Sequence, residues 1–185
     1  MKNKVKYITH LGILVAILMV LQYVSNYIKF GAVNINLGLI VIIIGACVLG
    51  PMAGLCLGIV NGIITCLAPD TSLFLAHNVL MTIIVCLAKT GLAGLACGLI
   101  FKLLNKFNNY VAVLVSSITV PIINTGIFLI GAMLFFLPVY GGGSEGLKVL
   151  LTTTLTINFL IEFVVTIVFS FVIHRLIILV NKKQI

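Results

Sequence analysis

The sequence predicts an all-α integral membrane protein, a single domain over residues 1–185 with about six transmembrane helices and both termini cytoplasmic. Three observations carry that prediction. Hydrophobic residues make up 62% of the chain and charged residues only 8%, more apolar surface than a soluble domain of this size can hide. The long runs, such as LGLIVIIIGACVLG at 37–50, are apolar on every side. They therefore read as helices and not as the alternating strands of a membrane barrel. The basic residues flank the runs: Lys2, Lys4 and Lys6 at the start, Lys102 and Lys106 in the middle, Arg175, Lys182 and Lys183 at the end, eight of the eleven in the chain. That placement is the positive-inside pattern, so the net charge of +8 reads as topology and not as a nucleic-acid surface. A cleavable signal peptide is not expected, because the first apolar run is too long and no small-residue cleavage site stands out.

Each helix has its own punctuation. The first runs from about 7 to 27 and is followed by a polar stretch with Ser25, Asn26, Lys29, Gly31, Asn34 and Asn36. The second, 37–49, is short and is ended by Gly50-Pro51, glycine suiting a helix end and proline a helix start. The third runs to about 67. Pro69 and Asp70 then favour a turn, and Thr71 or Ser72 is placed to cap the next helix. The fourth, 73–104, is long enough to tilt or protrude. The polar turn NKFNN leads to the fifth, 111–137, with a kink expected at Pro121. A glycine-rich loop over 138–147 precedes the sixth, 147–180. With the basic N-terminus inside, loops 25–36, 68–72 and 138–147 face outward.

Gly50, Gly54, Gly58 and Gly62 recur every four residues along one face of the third helix, and Gly94 and Gly98 repeat the spacing in the fourth. Such stripes let a neighbouring backbone approach closely. Cys47, Cys56, Cys66, Cys86 and Cys97 all lie in apolar runs without a C-x-x-C pair, so they read as small core residues, with no metal expected. Neither a catalytic signature nor a G-x-x-x-x-G-K-[ST] phosphate loop is present, so neither an enzyme nor intrinsic ATP hydrolysis is predicted, and no cofactor is implied.

Polar residues inside membrane helices are expensive, and are functional hypotheses by default. Lys89 and Glu162 lie well inside apolar runs. Three readings stand for them: the two compensate one another and fix packing, one or both meet a polar ligand, or Lys89 snorkels toward a helix end. Asn158 and Glu162, four apart, share a helical face. Asn124 lies in the fifth helix, His77 and Asn78 in the outer turn of the fourth, Asn34 and Asn36 at the start of the second. Together these residues outline a polar ligand pocket open to the outside.

The stretch INLGLIVIIIGACVLGPMAG (35–54), with APDT before the fourth helix, Lys89-Thr90-Gly91 and PIINTGIF (121–128), resembles the substrate-binding S components of energy-coupling factor (ECF) vitamin transporters, in the riboflavin, folate and pantothenate group. The resemblance covers nearly the whole chain. It implies six helices with cytoplasmic ends in a bacterial plasma membrane. It also implies a small water-soluble vitamin bound near the outer face, and a complex with a transmembrane coupling subunit and two ATPase subunits. A small-x-x-x-small motif on the first helix of such proteins docks the coupling subunit, and Gly12 and Ala16 occupy that spacing here. Riboflavin-type members often carry acidic residues entering the second helix, where this chain has Asn34, Asn36 and Gly38. A lysine at position 89 would suit a carboxylate vitamin. The rival readings are a self-contained ion-coupled transporter or channel using Lys89 and Glu162, and a membrane scaffold without a ligand.

Overall fold

The computed structural model describes residues 2–27, 29–30, 33–34, 36–152 and 159–182. These form helices α1 (Lys2–Tyr27), α2 (Gly38–Leu49), α3 (Pro51–Cys66), α4 (Ser72–His77), α5 (Val79–Leu104), α6 (Asn109–Gly131), α7 (Gly143–Leu151) and α8 (Leu160–Lys182). Between α1 and α2 lies a two-residue antiparallel ladder pairing Lys29 with Asn34 and Phe30 with Val33.

Among the described residues, membrane-length helices are fewer than the expected six. Lys4–Ser25, Val79–Leu104, Asn109–Tyr140 and Leu160–Leu179 are long and apolar enough to cross a bilayer. Pro51–Cys66 with Pro69–His77 forms a pair bent by 72° that makes a fifth candidate. The remaining apolar helix, α2, has 12 residues and reaches only about 18 Å at 1.5 Å per residue. Its sequence is apolar all round, and accordingly it sits at the centre, against α1, α3, α5, α6 and α8. Leu39, Val41, Ile42, Ile43 and Ala46 of α2 are fully or almost fully buried and form the core with Leu18, Leu57, Ala93, Cys97, Val113, Val120 and Ile173. Outward-facing apolar side chains, among them Ile8, Val20, Leu80, Leu134, Val164 and Val168, remain exposed as a lipid-facing surface would require.

The glycine stripe forms the tightest seam. α3 packs most extensively on α5, antiparallel, with Gly54 against Gly94, Gly58 against Thr90 and Gly91, Gly62 against Cys86, and Pro51 against Gly98. A β-carbon at Gly58 would overlap the Thr90 carbonyl oxygen, and one at Gly54 the Gly94 carbonyl oxygen. The seam is pinned by Thr90 Oγ1, which donates to the Gly58 carbonyl at 2.6 Å. Cys66 neighbours Cys86 across this seam, and Cys47 neighbours Cys97 between α2 and α5. Cys56, read from the sequence as a core residue, is exposed.

Three boundaries differ from the sequence expectation. The fourth predicted helix is broken at Asn78, which is extended (φ −158°, ψ 101°) and caps α5 by accepting from the Met81 N–H at 3.1 Å. Asparagine at an N-cap satisfies an amide that a continuous helix would have bonded itself, so a helix start competes well here. Thr71 and Ser72 do not provide the expected side-chain cap: Thr71 Oγ1 turns back to donate to the Thr65 carbonyl at 2.7 Å. Pro121 lies inside α6 without ending it, and the irregular turns come later, over Ala132–Phe136 and Leu137–Tyr140. The sixth predicted helix is described as α7 and α8, with 153–158 outside the described residues.

Candidate functional site

α5, α6 and α8 bring three of the expected polar residues together. Glu162, in the first turn of α8, is 9% exposed. Its carboxyl group lies beside the Asn124 side chain of α6 and within electrostatic reach of Lys89 on α5. Lys89 and Glu162 do not form a direct ion pair. Instead the Lys89 ammonium sits 5.0 Å from the centroid of the Phe128 ring, a cation–π contact. The Oδ1 of Asn124 is buried with no hydrogen-bond partner among the described residues.

Lys89 also borders a small cavity of about 40 Å³, lined by Thr71, Phe74, Thr82, Val85, Cys86, Phe128 and Phe136 as well. Its aromatic wall is one cluster. Phe74 packs edge-on against Phe128 and Phe136, at centroid distances of 6.0 and 5.2 Å, and is tilted against Tyr140 at 6.0 Å. The break at Asn78 produces this wall: it turns α4 away from the α5 axis, so that Phe74 comes under the end of α6. The cation, the nearby buried carboxyl group and the aromatic wall supply charge, hydrogen bonding and stacking surface of the kind a polar, partly flat solute uses, while the cavity itself is far smaller than the roughly 300–1,000 Å³ of a typical ligand pocket.

The other expected residues are placed differently. His77 is exposed at the end of α4, its ring 6.3 Å from that of Phe136, at the rim of the aromatic cluster. Asn78 is exposed and occupied as the α5 cap. Asn36 is half-buried just ahead of α2, with Oδ1 unpartnered among the described residues. The side chain of Asn34 and the whole of Asn158 lie outside the described residues. Gly12 and Ala16 are exposed on α1, and nothing lies within 4 Å of a β-carbon built on Gly12.

Two buried amides were not singled out from the sequence. Asn61 of α3 is fully buried and Gln22 of α1 is 4% exposed. Both point at Gly38, where α2 begins, and Asn61 has neither amide end bonded. The rule that flagged Asn124, an amide inside an apolar run, would have flagged both. The aromatic wall carried no such signal, because phenylalanine in a membrane helix is ordinary.

A family model describing the substrate-specific component of ECF transporters matches residues 6–179. The chain belongs to that family. No curated protein sequence and no solved structure matches it. As a substrate-specific component it is a multi-pass membrane protein and the substrate-binding subunit of a transporter, not an enzyme. Membership implies association with ECF coupling and ATPase modules and with a ligand.

Proposed function

We propose that this component binds a small, water-soluble, vitamin-like nutrient for import across a bacterial plasma membrane, with ATP hydrolysis supplied by two separate ATPase subunits. The observation that carries the reading is the meeting of half-buried Lys89 with buried Asn124 and Glu162 near the Phe74–Phe128–Phe136 wall. Charges inside a membrane helix are retained where they face a ligand, a partner or water. Lys89 and Glu162 grip the polar part of the nutrient, Asn124 Oδ1 accepts a hydrogen bond from it, and Asn34, Asn36, His77, Asn78 and Asn158 form the outer rim. Purification with the coupling and ATPase subunits, followed by mass spectrometry of extracted ligand, tests this. A stoichiometric nutrient that requires the ATPases for uptake is the expected result. Gradient-driven uptake by this chain alone in liposomes would replace the reading with an ion-coupled carrier using Lys89 and Glu162.

Docking is proposed through Gly12 and Ala16, whose open face on α1 supports close approach by a partner helix. Gly12→Leu and Ala16→Leu are expected to abolish co-purification of the coupling subunit and uptake, while affinity for the nutrient in the isolated chain stays within about twofold, because the site lies on α5, α6 and α8. Full assembly in both variants would remove the role.

The proposed topology has six crossings, α2 being the short, protein-enclosed one, and both termini cytoplasmic. Cysteines placed at Gly142 and at Asn108, in a chain with its native cysteines replaced, report on it. An impermeant thiol reagent is expected to label position 142 and not 108 in intact cells. The reverse pattern would put the proposed pocket on the inner face.

A further inference from the structure

The end of the molecule opposite Glu162 carries a second cavity, of about 330 Å³, where α2 ends, α3 begins and α5 ends. Its construction follows from the chain reversal at Gly50, whose φ of +100° lets α3 start immediately after α2. Close contact of Pro51 with Gly98 then brings that corner against the last turns of α5. Leu49, Pro51 and Phe101 supply apolar wall, and Lys102, Asn105 and Lys106 supply a polar rim.

The charge there is uncompensated among the described residues. Lys102 and Lys106 are exposed, one helical turn apart, and neither makes an ion pair among the described residues. The chain has three acidic residues. Asp70 follows the far end of α3, Glu145 lies in α7 beyond the far end of α6, and Glu162 opens α8. The antiparallel course of these helices places all three away from the rim. No carboxylate among the described residues reaches the two lysines, so their full neutralisation comes from outside; the helix ends add no net positive field, because α2 and α5 end where α3 begins.

We propose that this cavity holds the headgroup of an anionic phospholipid, with its phosphate against Lys102 and Lys106 and the start of its chains along Leu49, Pro51 and Phe101. The occupant is amphiphilic because the cavity is: cationic at the rim, apolar within. The apolar surroundings extend it, since Met52, Leu103 and Phe107 nearby are 64%, 64% and 87% exposed. A soluble anion would use only the rim. Basic pockets between membrane helices take anionic lipid headgroups on the same physical grounds.

Native mass spectrometry of the full chain in detergent, with added phosphatidylglycerol or phosphatidylcholine, tests the assignment. Phosphatidylglycerol is expected to be retained in preference to phosphatidylcholine. Each of Lys102→Gln and Lys106→Gln should weaken its binding about fivefold and the double variant about twentyfold. Lys4→Gln, at the same membrane end and away from the cavity, should change it by less than about twofold, which separates a defined site from general attraction to a basic surface. Because both lysines are exposed, the variants should keep the wild-type melting temperature without lipid, and that control is measured alongside. Undiminished phosphatidylglycerol binding in the double variant overturns the proposal. So does an equal loss with Lys4→Gln, or an equal shift in melting temperature with glycerol phosphate alone, which would make it a site for a free anion. Loss of coupling-subunit binding in the double variant with phosphatidylglycerol binding intact would make the corner a protein interface and overturns it equally.

Discussion

Gly58→Ala is expected to lower the stability of the isolated chain by about 2–3 kcal/mol, the upper part of the range for overpacking a closely packed site. The added methyl meets the Thr90 carbonyl oxygen and the backbone of Gly91, and neither can swing aside as the end of a side chain could. Relief requires α3 and α5 to separate, which also stretches the bond from Thr90 Oγ1 to the Gly58 carbonyl. For a chain of this length the loss corresponds to a fall in melting temperature of about 4–12 °C. Two controls use the same chemistry. A β-carbon at Gly91 meets only Ile59 and Leu55 side-chain atoms at 3.5 Å, and one at Gly126 meets nothing within 4 Å. Gly91→Ala and Gly126→Ala should therefore remain within about 1 kcal/mol of wild type, as ordinary substitutions outside a tight contact do. Thermal unfolding of the three variants in one detergent decides it. A Gly58→Ala protein that melts with the controls would mean the seam is looser than the backbone contacts require.

This seam was legible in the sequence, because period-four glycine has a single economical use in an apolar helix. The central burial of α2 was less so. Apolar composition all round says that a helix is covered, but not whether lipid or protein covers it. The break at Asn78 was hidden for another reason: hydropathy is continuous from Leu73 through Leu104, and one asparagine with extended backbone ends a helix without changing it. Lys89, Asn124 and Glu162 were visible singly as costly residues. Their meeting depends on how α5, α6 and α8 pack, which one sequence does not encode in any local pattern. Asn61 shows the limit from the other side, since it is an equally conspicuous amide that meets Gln22 and the start of α2 instead.

Lys89→Met is expected to destabilise the chain by about 3 kcal/mol and to abolish measurable nutrient binding. The value is the low end for removing one partner of a buried charge pair, because Lys89 and Glu162 interact without a direct ion pair. Glu162 is then left in a buried site with only the Asn124 side chain beside it. Glu162→Gln should cost less stability, because a glutamine brings no charge to bury and the Lys89 cation keeps the Phe128 ring face. The double variant Lys89→Met/Glu162→Gln should recover about 2 kcal/mol relative to Lys89→Met, since replacing both partners leaves no uncompensated buried charge. Binding separates this from a purely structural pair. If the two groups only balance one another, the double variant regains affinity along with stability. If they grip the nutrient, it regains stability and stays unable to bind, and Asn124→Ala, which removes the Oδ1 acceptor, weakens binding by about threefold to tenfold on the usual scale of one hydrogen bond. Melting temperature and nutrient affinity measured on the same four proteins therefore test the site directly. Restored affinity in the double variant would assign Lys89 and Glu162 to packing alone.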